Sequence, residues 1–439
     1  MASSVERDDL VWVNNVPYNV KEFASRHPGG KTFVSLYGGR DATDAFATYH
    51  RRTFPHKSMQ GYAVPKEVAA QHEPVASSSL SEDDPDFLNL CREVNEFLHK
   101  TGRGKGFAPP VYYLKVALIL VAAVVLEVSV VREPNVFLAA LLGFVFALIG
   151  LNIQHDANHG AVSQRPWINI VLGMTQDWIG GNSLLWLHQH TTIHHIECND
   201  LDHDRDMMDN PVLRFSPLRS RWFFQSLQGF YFLALEAGYA AKVIIGDWYN
   251  LLLNMYEGVP ISRTVPGWRW WSSVLARICW LVRLVAIPVY LHGWQAWLPS
   301  LLVLATVGGF YLAFFFLLSH NFEEVYHVMD HQLVPARDPL GEKSPQKDTL
   351  LRRQVLTSCN VGGAWLAQLN GGLNYQIEHH LFPRVHHGYY AAISPIVRAY
   401  CRRLNIQYIH FATVAENLAS TSRFLSQQGV APQVKPRAA

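Results

Sequence analysis

The sequence predicts a mainly α membrane protein. It has four transmembrane helices, further helices in the membrane interface, a histidine-rich domain on the cytosolic side and a small soluble α+β domain at the N-terminus. Three observations carry this reading. Charged residues make up 16% of the chain and hydrophobic residues 49%, against a charged share of about 25% in ordinary soluble domains. Four apolar runs approach the roughly 20 residues needed to cross a bilayer. The histidine clusters HDANH at 155–159, HTTIHH at 190–195 and QIEHH at 376–380 lie beside apolar sequence, where ionisable groups are expensive and usually functional.

The spans are expected at 112–131, 135–153, 272–291 and 296–318. Arg132-Glu133-Pro134 and His292-Gly293-Trp294-Gln295 are short joints, so the spans form two hairpins. The segments 154–271 and 319–439 then share a side with the N-terminus, and their Lys and Arg content places that side in the cytosol. Residues 166–187 and 222–256 are apolar but broken by Asp177, Gly180-Gly181, Glu236, Lys242 and Asp247. They read as interfacial helices, with a fifth or sixth span as the alternative.

Residues 8–65 form the N-terminal domain, 66–85 a Pro- and Ser-containing linker, and 86–425 the membrane domain. Residues 426–439 form a flexible tail. Phe87, Leu90, Val94, Phe97 and Leu98 mark an amphipathic helix over 86–100. The first residues lack a signal-peptide pattern. Cys91, Cys198, Cys279, Cys359 and Cys401 share no spacing and read as reduced thiols. A net charge of +2 gives no field for nucleic acid.

His27-Pro28-Gly29-Gly30 is followed by His50. Two histidines on opposing segments can supply both axial ligands of a haem. Together with Tyr18–Phe23 and Gly39–Phe46, this pattern resembles the cytochrome b5 domain. The resemblance implies haem b held by His27 and His50. Phe33, Leu36 and Phe46 are candidate pocket walls, although core packing would select the same residues. His56 and His72 read as surface residues.

In the first cluster, His155 and His159 are four apart and share one face of an α-helix. His190 and His194 do the same in the second, with His195 beside them. Gln376, His379 and His380 have i, i+3 and i+4 spacing. Imidazole suits redox iron, and a structural zinc needs four ligands. His320 closes the fourth span. Eight imidazoles therefore suit two non-haem irons. His188 competes with His190. His386 and His387 read as solvated or as partners of the ligands, and His203, His327, His331 and His410 as non-ligands. Asp156, Glu378 and Asp202 or Asp204 are candidates to hydrogen-bond the ligand imidazoles.

These motifs resemble the front-end fatty acyl desaturases, which fuse a cytochrome b5 domain to a membrane di-iron domain. Gln376 is diagnostic, because most related membrane desaturases carry His there. The resemblance implies metal-binding and catalytic roles for His155, His159, His190, His194, His195, His320, His379 and His380, with Gln376 a ligand or near-ligand. The second cluster departs from the commoner pattern by one extra residue.

The implied reaction uses O2, and electrons from NADH through cytochrome b5 reductase and the fused haem. It places a cis double bond between the carboxyl end and existing double bonds of a fatty acyl chain carried on coenzyme A or phospholipid. The implied location is the endoplasmic reticulum membrane, with both termini cytosolic. GLNIQHDANHGA and GGLNYQIEHHLFP further resemble algal or diatom-type delta-5 desaturases of twenty-carbon chains. Delta-6, delta-8 and delta-4 enzymes and b5-fused fatty acid or sphingolipid hydroxylases share the machinery. Trp178, Gly180, Gly181, Trp186, Gln368, Asn374 and Tyr375 are candidates to line an acyl channel.

Overall fold

The computed structural model describes residues 6–65, 67, 72–75, 80, 82–208, 211–256, 259–261, 265–339 and 345–433. Most of the linker expected at 66–85 lies outside the described residues. The N-terminal domain opens with an antiparallel hairpin of Leu10–Val13 and Val16–Asn19. Asn14 and Asn15 form its two-residue turn at φ 50° and 61°, the positive-φ pair that a tight hairpin requires. Helices Lys31–Leu36 and Thr43–His50 pack on the hairpin, burying Val11, Val13, Tyr18, Leu36, Tyr37 and Ala45. Leu187 and Ile196, from the other domain, join the same core. This domain is therefore seated on the membrane domain.

Asp84 caps helix Pro85–Lys100 by accepting from the Asp86 and Phe87 amides. Its buried face is Phe87, Leu90, Cys91, Val94 and Leu98, the amphipathic stripe expected over 86–100. Asp84 also accepts from the Leu351 amide at 2.9 Å, tying this helix to the C-terminal half.

Among the described residues, four helices are long and apolar enough to cross a membrane: Pro110–Arg132, Val136–Asn158, Gly267–His292 and Trp294–His320. The second is the central one. Its most apolar stretch is 61% buried in protein, against 22% for the first and third. It meets the fourth through glycines: a Cβ on Gly143 would stand 2.4 Å from the Leu304 carbonyl. Between apolar helices in lipid, such close backbone approach supplies the packing that the hydrophobic effect cannot. Glu127 and Arg283 pair in a fork, with both N–O distances at 2.7 Å. Trp178 lies 3.8 Å from that guanidinium.

The stretch expected as interfacial over 222–256 is a broken pair, Phe223–Glu236 and Tyr239–Leu253, bent by 75°. It counts as a fifth span only if the two halves are taken as one. Phe223, Phe230, Ile245 and Leu252 are exposed, which gives the pair an apolar outer face suited to an interface. The C-terminal half adds helices Leu350–Leu356, Ala364–Asn370, Gln376–Leu381, Tyr390–Arg403 and Val414–Val430. The last helix continues past 426, where a flexible tail was expected. Gln428 is buried in it and donates to the Ala336 carbonyl at 3.0 Å.

Gly143→Leu should push the second and fourth spans apart and cost about 3 kcal/mol. Gly246→Ala, with open space around the new methyl, should be neutral or stabilise by up to about 1 kcal/mol. Thermal unfolding midpoints in detergent will show a large drop for the first variant and none for the second.

Candidate metal centres

In the N-terminal domain, His27 and His50 face each other with ring centres 5.9 Å apart. Metal–imidazole bonds of about 2 Å on either side of one iron put two ring centres roughly 6 Å apart, so the pair fits a bis-imidazole haem. Each Nδ1–H donates to a backbone carbonyl at 3.2 Å, His27 to Gly30 and His50 to Phe46. This leaves Nε2 of both rings as the atom that could take a metal. Gly29 is confined by that ring, since a Cβ would fall 2.8 Å from His27 Cε1. The Phe46 ring stacks on His50 at 4.1 Å. Burial pushes His50 down to about 3, which keeps it neutral for ligation.

The three histidine clusters converge into two pockets. Ring nitrogens of His155, His159, His190 and His379 lie within 4.8 Å of one another. His194, His320 and His380 do the same, together with Cys198. His195 stands between the pockets, its ring 4.6 Å from His159, 4.7 Å from His379 and 4.4 Å from His380. All eight imidazoles are buried. Adjacent residues thus serve opposite pockets: His379 the first and His380 the second.

The second cluster is not the α-helix that its spacing suggested. Leu187–His194 is wound as a π-helix, whose i→i+5 bonding brings residues five apart onto one face. His190 therefore meets His195, Nε2 to Nε2 at 3.2 Å, and His194 goes to the other pocket. The same winding puts His190 in the first pocket, and His188 joins neither.

Outer partners orient the rings. His380 Nδ1–H donates to Gln354 Oε1 at 2.8 Å, and His320 Nδ1–H to the Thr357 carbonyl at 2.9 Å. His194 Nδ1–H donates to Asp204 at 3.3 Å. His379 Nδ1 is 3.2 Å from the Tyr390 hydroxyl, and His159 Nδ1 is 2.9 Å from that of Tyr49. The opposite nitrogens, Nε2 of His155, His159, His194, His379 and His380, are buried without a hydrogen-bond partner, as is Nδ1 of His195. Each such atom costs about 1–3 kcal/mol if left unpaired, and neutral imidazole nitrogens are the donors that iron takes. The donor set fits two metal ions. Burial and the neighbouring imidazoles hold His190, His195, His379 and His380 well below the ordinary histidine range, in the neutral ligand form.

Gln376 Nε2 lies 2.9 Å from His320 Nε2, so Gln376 meets the second pocket through that ring. Three acidic candidates act elsewhere. Glu378 accepts from Asn360 at 2.7 Å and Tyr408 at 2.8 Å. Asp156 pairs with His386 and His387, which are buried rather than solvated. Asp202 pairs with Arg219. Of the channel candidates, Trp186 stacks on His190 at 4.3 Å. Asn374 ties the Val361 and Gly363 carbonyls, and Gly180 is pressed against Trp280.

Cys198, Gln354, Tyr390 and Tyr49 were not singled out from the sequence. Cys198 had a weak signal in lying three residues after the end of HTTIHH. Tyr49 had none, because its contact joins positions 110 apart.

The fatty acid desaturase family profile matches residues 134–412. A cytochrome b5-like heme/steroid binding domain matches residues 3–66. The chain is 45% identical to an acyl-lipid (7-3)-desaturase of Diacronema lutheri, over 97% of this chain and 92% of that protein. It is 42% identical to an acyl-lipid (7-3)-desaturase of Rebecca salina, over 98% and 93%. A Delta(5) fatty acid desaturase A of Dictyostelium discoideum is 25% identical, over 98% and 92%.

His190→Ala should lose at least one iron per chain, while His188→Ala should keep the wild-type content. Elemental analysis of the purified variants will separate them, and an iron loss confined to His188→Ala would reverse the assignment.

Proposed function

The chain belongs to the fatty acid desaturase family, and from that premise we propose that it is a front-end acyl-lipid desaturase of (7-3) type. In this reading it installs a cis double bond three carbons nearer the carboxyl than an existing bond at carbon 7. The chain is an oxidoreductase of acyl lipids that spans the membrane several times, with a haem-binding b5 domain and a di-iron site. The observation that carries the functional reading is the pair of buried imidazole pockets whose unpartnered nitrogens face each other across His195. We assign the irons to His155, His159, His190, His194, His195, His320, His379 and His380, and the haem to His27 and His50.

When bound, the irons together with O2, two electrons and two protons would supply an oxidant able to take hydrogen from two adjacent carbons, with two waters as the coproduct. The protein's own residues do the rest. Gln354, Thr357, Asp204 and Tyr390 fix ring tautomers and orientation. Trp186 packs against the His155, His159 and His190 rings of the first pocket. The docked b5 domain holds the electron donor at high local concentration. Electrons are proposed to come from NADH through cytochrome b5 reductase. The proposed location is the endoplasmic reticulum with both termini cytosolic, which the Lys and Arg of the segments carrying the histidine clusters support.

For regiochemistry, the relatives at 45% and 42% identity carry (7-3) names, and the one at 25% carries a Delta(5) name. Three carbons from carbon 7 is carbon 4, so we rank carbon 4 above the carbon 5 expected from the sequence. The same names favour a lipid-bound acyl chain over acyl-CoA.

Host cells supplied with one polyunsaturated acid at a time should form a new bond at carbon 4 in chains already unsaturated at carbon 7. Mass spectrometry that locates double bonds will read it. A new bond at carbon 5, formed only in chains unsaturated at carbon 8, would overturn the carbon-4 reading in favour of delta-5. His27→Ala should abolish the haem Soret band and most product while non-haem iron content holds, because the two centres use separate ligands.

A further inference from the structure

Helix Thr43–His50 ends on two consecutive side chains with different partners. His50 faces His27 across the haem position. Tyr49 reaches into the other domain. Its hydroxyl is 2.9 Å from His159 Nδ1, and its ring lies nearly parallel to that imidazole, 6.3 Å between centres and 26° between planes. His159 belongs to the first pocket, and its Nε2 is buried and unpartnered. With Nε2 on a metal, Nδ1 carries the proton and donates to the Tyr49 oxygen. This is the place where metal-bound histidines commonly have a carboxylate or carbonyl. Here the partner comes from the neighbouring domain, one residue from a haem ligand.

The contact sits in a built interface. The Tyr37 hydroxyl donates to the Thr191 carbonyl at 3.0 Å, inside the π-wound cluster. Phe33 closes over Gly160, where a Cβ would lie 3.7 Å from its ring. Leu187 and Ile196 share the core of the N-terminal domain. Tyr49 is thus fixed on both sides, by its helix and by its docking surface.

We propose that Tyr49 is the positioning residue that couples the two redox centres. It holds the His159 imidazole by hydrogen bond and carries the short route from haem through His50 and Tyr49 to His159. The proposal rests on reading His50 as a haem ligand and His159 as an iron ligand. In each transfer, ferrous haem gives up one electron and becomes ferric, and one ferric ion of the di-iron site accepts it and becomes ferrous. No bond to Tyr49 forms or breaks.

The test uses the full-length protein loaded with haem and iron. Tyr49→Phe keeps the ring and removes the oxygen. Tyr37→Phe removes a hydrogen bond from the same interface without touching a metal ligand. The haem is reduced beforehand, and its reoxidation by the ferric irons is followed at the Soret band, without substrate turnover. Tyr49→Phe should slow reoxidation about tenfold or more, the scale seen when outer partners of metal-bound histidines are lost. Haem spectrum, haem potential and iron content should match wild type. Tyr37→Phe should stay within about twofold.

A Tyr49→Phe rate equal to wild type would overturn the proposal. Equal slowing in both variants would also overturn it, since docking alone would then explain the effect. A wild-type protein without iron, or with haem reoxidation indifferent to removal of its iron, would contradict the metal reading itself and take this proposal with it.

Discussion

Buried imidazole nitrogens must find a proton partner or a metal, and in this protein that demand falls on eight rings at once. Placing so many apolar-surrounded nitrogens together is costly unless cations fill the spaces between them. The fold meets the demand from outside first. Gln354, Thr357, Asp204, Tyr390 and Tyr49 each occupy one nitrogen of a ring. The other nitrogens are thereby aimed inward. The same demand explains why the rings come from the ends of two membrane spans, a π-wound segment and a short helix. No single element can surround two ions.

The membrane part serves this geometry. The second and fourth spans end on His155 and His320 segments, and the glycine contact at Gly143 sets the distance between them. The Glu127–Arg283 fork ties the first hairpin to the second. A charged pair between two spans is expensive to break, so it resists sliding of one hairpin past the other. The N-terminal domain joins this geometry as well, because its Tyr49 hydroxyl lies 2.9 Å from Nδ1 of His159, one of the eight buried rings.

Much of this was legible in the chain. Four helices long and apolar enough to cross a membrane overlap the expected runs, and HPGG, HDANH, HTTIHH and QIEHH contain histidines that the fold gathers into facing or clustered imidazoles. What was not legible has physical reasons. π-winding has no compositional signature, so HTTIHH read as an α-helical face, and the choice between His188 and His190 stayed open. His386 and His387 looked solvated because their burial depends on Asp156, 231 residues away in the case of His387. Helix Val414–Val430 outran the expected tail because Gln428 is buried by tertiary contacts that no local pattern announces.

Anomalous X-ray scattering at the iron edge, on crystals of the full-length protein, tests the central claim most directly. The account expects three iron peaks. One lies between His27 and His50. A second lies among His155, His159, His190 and His379, and the third among His194, His320 and His380, with His195 between these two. A single non-haem peak, or one centred on Asp156, His386 and His387, would contradict it.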